Sequence, residues 1–142
     1  MQNVYKQRKN RRNKNQIGGI MKLFKCEKCG NIIYTINDKC EGITCCGEDV
    51  ELLNANTVDA AKEKHVPVVS INNKLVEVNI GEVDHPMTED HYIEFILLET
   101  NKGVRINNLN PGDKPHTSFV LDENEEVLNT YAYCNLHGLW KN

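Results

Sequence analysis

Residues 91–109 read HYIEFILLETNKGVRINNL, and this stretch predicts two antiparallel strands joined by a tight turn. Residues 91–99 are mostly apolar, with β-branched and aromatic side chains that are typical of a strand. Residues 101–103, Asn-Lys-Gly, provide the turn, and residues 104–109 provide the returning strand. The centre of the chain is therefore predicted to be a β-hairpin.

The same pattern continues on both sides of this hairpin. Further strands are predicted at residues 66–71, 74–80, 117–122 and 126–133. The pair Asn72-Asn73 and the sequence Asn-Pro-Gly-Asp at 110–113 are turn signals between them. Short strands separated by turns at this spacing describe an all-β fold, an antiparallel β-sandwich. Residues 54–64 predict a linker with a helical turn.

Cysteine and histidine are segregated along the chain. Five of the six cysteines lie between Cys26 and Cys46, and all five histidines lie at or beyond His65. Residues 21–53 are short and turn-rich with little to bury, so a metal ion is expected to support them. The sequence therefore predicts a metal-binding module at 21–57 and a β-sandwich domain at 58–142.

The first twenty residues differ from the rest in charge. They carry six basic residues and no acid, whereas the remaining 122 residues carry a net charge of −9. Without an apolar core segment this opening is not a secretory signal, and we interpret it as a basic disordered tail, with an arm for nucleic acid or anionic surfaces as the alternative. Residues 17–21 are also what a ribosome-binding site followed by a start codon encodes. Met21 is therefore expected to be the initiator, with residues 1–20 a mis-annotated start.

Four of the cysteines form two pairs that predict one metal site. Cys26 and Cys29 are separated by two residues, and Cys45 and Cys46 are adjacent. Four thiolates favour tetrahedral iron or zinc, so a small zinc ribbon stays open for this segment alone. Both adjacent thiolates can reach one ion only if the backbone between them twists. Cys40 is interpreted as a spare thiol, with replacement of Cys45 or Cys46 as a ligand as the alternative.

A second ligand set lies nearer the C-terminus. Cys134 and His137 have two residues between them, on a predicted loop that ends at Gly138, where the chain can bend. Three more histidines flank predicted strands: His65, His85 and His91. One sulfur and four nitrogens exceed the four ligands of structural zinc and suit a six-coordinate iron with one open position. His116 has no such context and is interpreted as a surface residue.

Three motifs resemble the superoxide reductases: EKHVP at 63–67, HPMTEDHYIE at 85–94 and CNLHGLW at 134–140. With the cysteine pairs in front, the chain resembles the two-iron subgroup called desulfoferrodoxin, from Met21 to the C-terminus. The resemblance implies a desulforedoxin-like iron-binding module followed by a seven-stranded immunoglobulin-like sandwich. It implies two non-haem irons, one held by Cys26, Cys29, Cys45 and Cys46, the other by equatorial His65, His85, His91 and His137 with Cys134 as the axial thiolate.

The resemblance also implies an activity, the one-electron reduction of superoxide to hydrogen peroxide with uptake of two protons. By motif, Lys64 is the catalytic lysine, and Glu63 is the carboxylate that occupies the sixth position of the oxidised iron. A positive charge near the open coordination position is needed, because superoxide is an anion and the chain after Met21 is acidic. A rubredoxin-like electron donor and a homodimer are expected.

The environment of the protein is predicted from its cysteines and its hydropathy. Six cysteines without an export signal indicate a reducing compartment, the cytoplasm. No apolar run approaches the roughly 18 residues that cross a membrane. We therefore expect neither a membrane nor a nucleic acid as partner.

Two other functions fit these residues. The first is a non-catalytic zinc ribbon joined to a β-sandwich binding module, its histidines coincidental; zinc is colourless, so iron analysis and a visible spectrum would identify it. The second is a simple iron electron carrier. An open coordination position argues against a carrier, and a small-anion binding test would separate the two iron proteins.

Overall fold

The computed structural model describes residues 21–142, so the tail and the alternative start predicted for residues 1–20 lie outside the described part. Nearly all of its regular structure is antiparallel strand, with one helical turn, α1 (Lys62–His65). The strands are β1 (Leu23–Lys25), β2 (Ile32–Tyr34), β3 (Thr44–Cys45), β4 (Glu48–Asp49), β5 (Glu51–Leu52), β6 (Pro67–Asn72), β7 (Leu75–Ile80), β8 (Ile93–Thr100), β9 (Gly103–Asn108), β10 (His116–Val120), β11 (Val127–Cys134) and β12 (Gly138–Lys141). Among the described residues, no helix has the length and hydropathy required to traverse a lipid bilayer.

Strands β6 to β12 form the predicted sandwich. One sheet has the order β10-β7-β6, and the other has the order β12-β11-β8-β9. The all-β, seven-stranded prediction is confirmed, and the predicted strands agree with β6 to β11 to within two residues at each end. Strand β12 is missing from the sequence prediction, because four residues after a ligand loop are too few to show a period.

The core between the sheets is built from alternate residues of each strand. Ile96 and Leu98 of β8 face inward and pack with Val76 and Val78 of β7, all of them fully buried. The intervening Leu97 faces outward and is also fully buried, because the first part of the chain covers that face of the sheet. Burial on both faces explains why residues 95–98 read as a continuous apolar run.

The N-terminal segment is stabilised by this outer face of the sandwich. Leu23 of β1 is 2% exposed and lies in one apolar cluster with Leu97, Tyr131 and Leu139. The expectation that residues 21–53 have little to bury is therefore incomplete, because their apolar side chains pack on the neighbouring sheet rather than on one another. The domain boundary between residues 57 and 58 stays a prediction.

A bulge and a tight hairpin position the last ligand motif. Strand β11 pairs Tyr133 with Phe95 but Cys134 with Ile93, so that Glu94 is an extra residue in β8. Cys134 then pairs with Gly138 at the start of β12, and residues 135–137 form the loop between the two strands. Gly138 has φ +77°, the sharp bend that the sequence predicts.

Candidate metal centres

The four paired cysteines converge on one point near the surface. Their sulfur atoms lie within 4.8 Å of one another, with Cys29 Sγ 3.7 Å from Cys45 Sγ and Cys45 Sγ 4.0 Å from Cys46 Sγ. A tetrahedral ion with metal–sulfur bonds of about 2.3 Å requires sulfur separations of about 3.8 Å. The observed separations therefore fit a single tetrahedral ion. Cys40 is an exposed free thiol outside this group.

The backbone between the adjacent cysteines is twisted, as their adjacency requires. Cys46 has φ +55° and Gly47 has φ +76°, two successive left-handed residues. At the other pair, the Gly30 N–H donates to the Cys26 carbonyl at 2.8 Å, and the Cys26 N–H donates to the Asn31 carbonyl at 2.9 Å. These turns bring both thiols of each pair to one side of the chain.

The thiols of this centre influence one another's protonation. The backbone N–H of Cys29 stabilises the Cys26 thiolate and lowers the pKa of Cys26 to about 7. The neighbouring sulfurs of Cys26 and Cys29 raise the pKa of Cys45 to about 12. All four groups become thiolates together when a cation offsets their mutual repulsion, so metal binding and proton release are coupled here.

The second centre is a near-square of four imidazole rings. The distance between ring centroids is 4.7 Å from His65 to His85, and also from His85 to His91. It is 5.1 Å from His91 to His137 and 4.9 Å from His137 back to His65. The diagonal from His65 to His91 is 6.4 Å. Neighbouring rings are roughly perpendicular, at interplanar angles between 72° and 84°. The structure thus brings all four predicted histidines around one point.

Backbone carbonyls determine which nitrogens face that point. Nδ1 of His65 is 2.6 Å from the Ala61 carbonyl oxygen, and Nδ1 of His85 is 2.6 Å from the Pro86 carbonyl oxygen. Because each Nδ1–H donates to a carbonyl, each Nε2 carries a lone pair directed at the centre. His137 instead presents Nδ1, which lies 3.0 Å from His65 Nε2.

This arrangement of lone pairs fits a bound cation. Nε2 of His65 and Nε2 of His85 lie 3.2 Å apart with no proton between them, a repulsive contact unless a shared ion separates them. Nε2 of His91 is buried and has no hydrogen-bond partner among the described residues. Adjacent nitrogens of an octahedral ion with metal–nitrogen bonds of about 2.1 Å are about 3.0 Å apart, which matches both close nitrogen pairs.

The sulfur of Cys134 lies on the interior side of the imidazole square. Cys134 is fully buried, and its Sγ is 3.9 Å from Nδ1 of His137. Burial raises the pKa of this thiol, although the backbone N–H groups of His137 and Leu136 partly offset that effect. A cation in the square would supply the charge that holds the buried sulfur as a thiolate.

Two residues with no role in the sequence prediction hold the ligands in place. Trp140, fully buried, stacks on His65 at 4.7 Å between ring centroids, and its Nε1–H donates to the His137 carbonyl at 3.1 Å. Asn135 accepts from the Tyr92 N–H at 2.9 Å and donates to the Asp90 carbonyl at 3.0 Å, which ties the two ligand loops together. The sequence signal for their supporting role is position alone: Asn135 follows the ligand Cys134, and Trp140 comes three residues after the ligand His137.

Glu63 and Lys64 lie on the exposed side of α1, immediately before the buried His65. Burial lowers the pKa of His65, and the negative charge of Glu63 acts in the opposite direction. Burial also lowers the pKa of His91, and the neighbouring His137 and the positive charge of Lys64 lower it further. The charges of Glu63 and Lys64 therefore both influence histidines of the imidazole square.

His116, which the sequence analysis interprets as a surface residue, lies at the exposed start of β10. Its Nε2 is 4.0 Å from a Glu77 carboxylate oxygen, and it is not one of the four histidines of the square.

Comparisons with known proteins agree with the fold and with both centres. A family model described as Desulfoferrodoxin matches residues 57–142. The desulfoferrodoxin of Syntrophotalea carbinolica is 47% identical over 120 residues, which cover 84% of this chain and 94% of the relative. The crystal structure of the superoxide reductase from Treponema pallidum aligns with a TM-score of 0.73 and 35% identity, covering 86% of this chain and 98% of that chain. The superoxide reductase of Pyrococcus furiosus is 33% identical over 106 residues, covering 56% of this chain and 86% of the relative.

The fold and the two centres define a two-iron protein, with one centre of four cysteines and one of histidines and a cysteine. The chain belongs to the desulfoferrodoxin family. Its superoxide reductase relatives and structural neighbours support its place among the oxidoreductases.

The buried imidazoles predict how the metal-free protein responds to pH. Burial lowers the pKa of His85 from its ordinary 6.5 to about 4, so between these values the unfolded chain binds a proton that the folded chain does not. The contribution of neutral His85 to the free energy of unfolding is therefore fully present above pH 6.5 and is lost as the pH falls toward 4. We expect the melting temperature of metal-free protein to fall by roughly 5 °C between pH 7 and pH 5.

Thermal melts of two variants check this cause. The His85→Asn variant should show a shallower dependence on pH, whereas His116→Gln, which changes an exposed ring, should match the unmodified protein. A melting temperature that is constant over this range, or that rises as the pH falls, would contradict the burial of neutral imidazoles.

Proposed function

We propose that this protein is a superoxide reductase, which reduces superoxide to hydrogen peroxide with one electron and two protons. The observation that carries the proposal is the square of four imidazoles above the buried sulfur of Cys134. His65, His85, His91, His137 and Cys134 would hold the catalytic iron. When bound there, iron supplies the electron and an open coordination position.

The protein's own contribution is to keep this position accessible on one side. Cys134 is fully buried, whereas His91 and His137 are partly exposed and Glu63 and Lys64 are exposed. The burial pattern supports an arrangement with the sulfur toward the core and the open position toward solvent. Buried Trp140 and the carbonyls of Ala61 and Pro86 keep the ligand rings from turning.

Lys64 and Glu63 are proposed to act at the open side. Lys64 supplies a positive charge beside the entrance, which offsets at short range the net charge of −9 carried by residues 21–142. Glu63 supplies a hard carboxylate suited to ferric iron when no substrate is present. The influence of both charges on the pKa values of His65 and His91 supports their placement near the ligands.

Replacing Lys64 by alanine is expected to slow superoxide capture by roughly tenfold at low salt, because electrostatic steering contributes at least this much to charged encounters. The decrease of the rate with added salt should also flatten, and the iron spectrum should change little. Rapid mixing of the reduced protein with superoxide at several ionic strengths measures both quantities.

Lys62→Ala is the matched control for this experiment. Lys62 is exposed on the same helical turn and its loss changes the net charge equally, but it lies three residues before the ligand His65, whereas Lys64 is next to it. It should slow capture much less than Lys64→Ala. An unaltered low-salt rate in Lys64→Ala, or equal effects of both variants, would remove Lys64 from the mechanism.

The remaining assignments belong to the same proposal. The four-cysteine centre would hold the second iron through Cys26, Cys29, Cys45 and Cys46, in a module spanning residues 21–57. A rubredoxin-like protein would return the electron after each turnover, and the protein would act in the cytoplasm as a homodimer. Electron transfer from reduced rubredoxin and sedimentation analysis in solution test the donor and the dimer.

Iron analysis and anion binding separate this function from the two alternatives. If this protein is a superoxide reductase of the two-iron type, it should contain two irons per chain, and small anions such as azide should perturb the visible spectrum of the oxidised catalytic iron. Colourless protein that contains zinc would indicate a binding module. Iron that never binds an exogenous anion would indicate an electron carrier.

A further inference from the structure

A glycine at the end of β7 lies against the backbone of the helical turn that carries Glu63 and Lys64. Gly81 is buried and has φ +86°. A Cβ atom at this position would lie 2.7 Å from the Lys64 Cα, 2.7 Å from the Glu63 carbonyl oxygen and 2.4 Å from the Val83 carbonyl oxygen. All three are backbone atoms, so a change of rotamer cannot relieve the contact. The turn around Lys64 can approach this closely only because residue 81 has no side chain.

Two hydrogen bonds fasten the same pair of turns. The Val83 N–H donates to the Glu63 carbonyl at 3.1 Å, and the Gly81 N–H donates to the Val66 carbonyl at 3.2 Å. These bonds hold the chain on both sides of Lys64. Residues 81–83 thus form a seat for the backbone of residues 63–66.

His65, the ligand next to Lys64, is held by other contacts. Its Nδ1–H donates to the Ala61 carbonyl, and its ring stacks on Trp140. Moving the backbone of Glu63 and Lys64 therefore does not require the imidazole to leave the square. The backbone of His65 shares the seat with Lys64, but its ring is anchored by these two contacts outside the seat.

We propose that Gly81 is a positioning residue for Lys64: by permitting close approach, it holds the lysine's backbone where the ammonium group can face the open side of the iron centre. This inference rests on the capture role proposed above for Lys64. An alanine at position 81 would push Glu63 and Lys64 outward and move the positive charge from the entrance, while the five metal ligands stay in place.

The test compares Gly81→Ala with Gly112→Ala. Gly112 has φ +88°, nearly the same as Gly81, but a Cβ there would meet nothing within 4 Å. Both variants carry the same left-handed backbone strain, and Gly81→Ala alone adds the collisions with the backbone of Glu63, Lys64 and Val83. We expect Gly81→Ala to capture superoxide roughly three- to tenfold more slowly at low salt, with a flattened salt dependence. Gly112→Ala should keep both the rate and its salt dependence.

Two further readouts separate positioning from a general loss of structure. The sulfur-to-iron charge-transfer band should be unchanged in Gly81→Ala, and the Val83 amide should exchange with solvent faster than in Gly112→Ala because its bond to Glu63 is weakened. In a Lys64→Ala background, Gly81→Ala should slow capture no further, since the charge that it displaces is already gone.

The outcomes distinguish this inference from the proposed function. If Lys64→Ala slows capture but Gly81→Ala behaves like Gly112→Ala, the positioning role is wrong and the proposed function stands. If Lys64→Ala itself has no effect, the proposed role of the lysine fails first. An additional slowing by Gly81→Ala in the Lys64→Ala background would also overturn the inference.

A second variant covers the case in which Gly81→Ala does not fold. Val83→Pro removes the N–H that donates to the Glu63 carbonyl and places the proline Cδ against that carbonyl, so it disrupts the seat without any change at residue 81. The side chain of Val83 is 55% exposed, so its replacement disturbs little packing. We expect severalfold slower capture with an unchanged charge-transfer band, and an unaltered rate would refute the seat formed by residues 81–83.

Discussion

Cys134→Ser is expected to abolish superoxide reduction and to remove the sulfur-to-iron charge-transfer band, while the four-cysteine iron keeps its spectrum. Serine is nearly isosteric with cysteine, so the buried site beside Ile93 and Gly138 should still fold. Its oxygen, however, is a hard and weakly acidic donor, and it cannot supply the electron density that a thiolate would give to a bound iron.

The environment of Cys134 increases this difference. Burial raises the pKa of the thiol, so the sulfur would lose its proton only with a cation bound beside it. A serine hydroxyl in the same place has a far higher intrinsic pKa and stays protonated. The variant is therefore expected to bind iron through the four imidazoles without an anionic sulfur, and to lose superoxide reduction.

Cys40→Ser is the control for this experiment. Cys40 is an exposed free thiol outside both ligand groups, so the variant should keep both spectra and the full rate. Visible spectra of the oxidised proteins and rapid mixing with superoxide measure the two effects. Cys134→Ser protein that retains either the charge-transfer band or the activity would disprove axial ligation by this sulfur.

Trp140→Ala is expected to lower the free energy of unfolding by about 3–5 kcal/mol, the usual cost of removing a buried aromatic side chain. The indole is fully buried, stacks on His65 and donates to the His137 carbonyl. Its removal leaves a cavity beside one ligand and an unpaired carbonyl at another. We therefore also expect weaker iron binding at the imidazole square and little change at the four-cysteine centre.

Two companion variants divide this effect into its parts. Trp140→Phe keeps a ring against His65 but loses the N–H donor, and should cost about 1–3 kcal/mol. Leu136→Ala removes a 60% exposed residue's side chain from the loop that precedes β12, and should change stability by at most about 0.5 kcal/mol. Denaturant unfolding and iron titration measure both quantities. A Trp140→Ala protein as stable as Leu136→Ala would contradict a structural role for the indole.

The strands of the sandwich could be predicted because their patterns are local. Strand β8 combines β-branched and aromatic residues over eight positions, and Asn73, with φ +54°, occupies the turn that the sequence indicates. Strands of two or three residues, such as β3 (Thr44–Cys45), have no period to detect, because their pairing depends on the metal turns and on packing against the sandwich.

The ligand set of the candidate site was accessible from residue types and a family resemblance, but its geometry was not. The sequence places His65 and His91 twenty-six positions apart, and only the fold makes them opposite corners of one square. The tautomer of His65 depends on a carbonyl four residues away. Gly81 reads as an ordinary turn residue, since its close approach to Lys64 is a contact between separate segments.

The peroxide yield of reduced, iron-loaded protein tests the central claim most directly. Superoxide is added by rapid mixing in the absence of an electron donor, and the hydrogen peroxide and dioxygen formed are measured against the superoxide consumed. We expect one peroxide for each superoxide, one catalytic iron oxidised in the same step, and no dioxygen. One peroxide for every two superoxides with release of dioxygen, or no oxidation of the iron, would contradict a superoxide reductase.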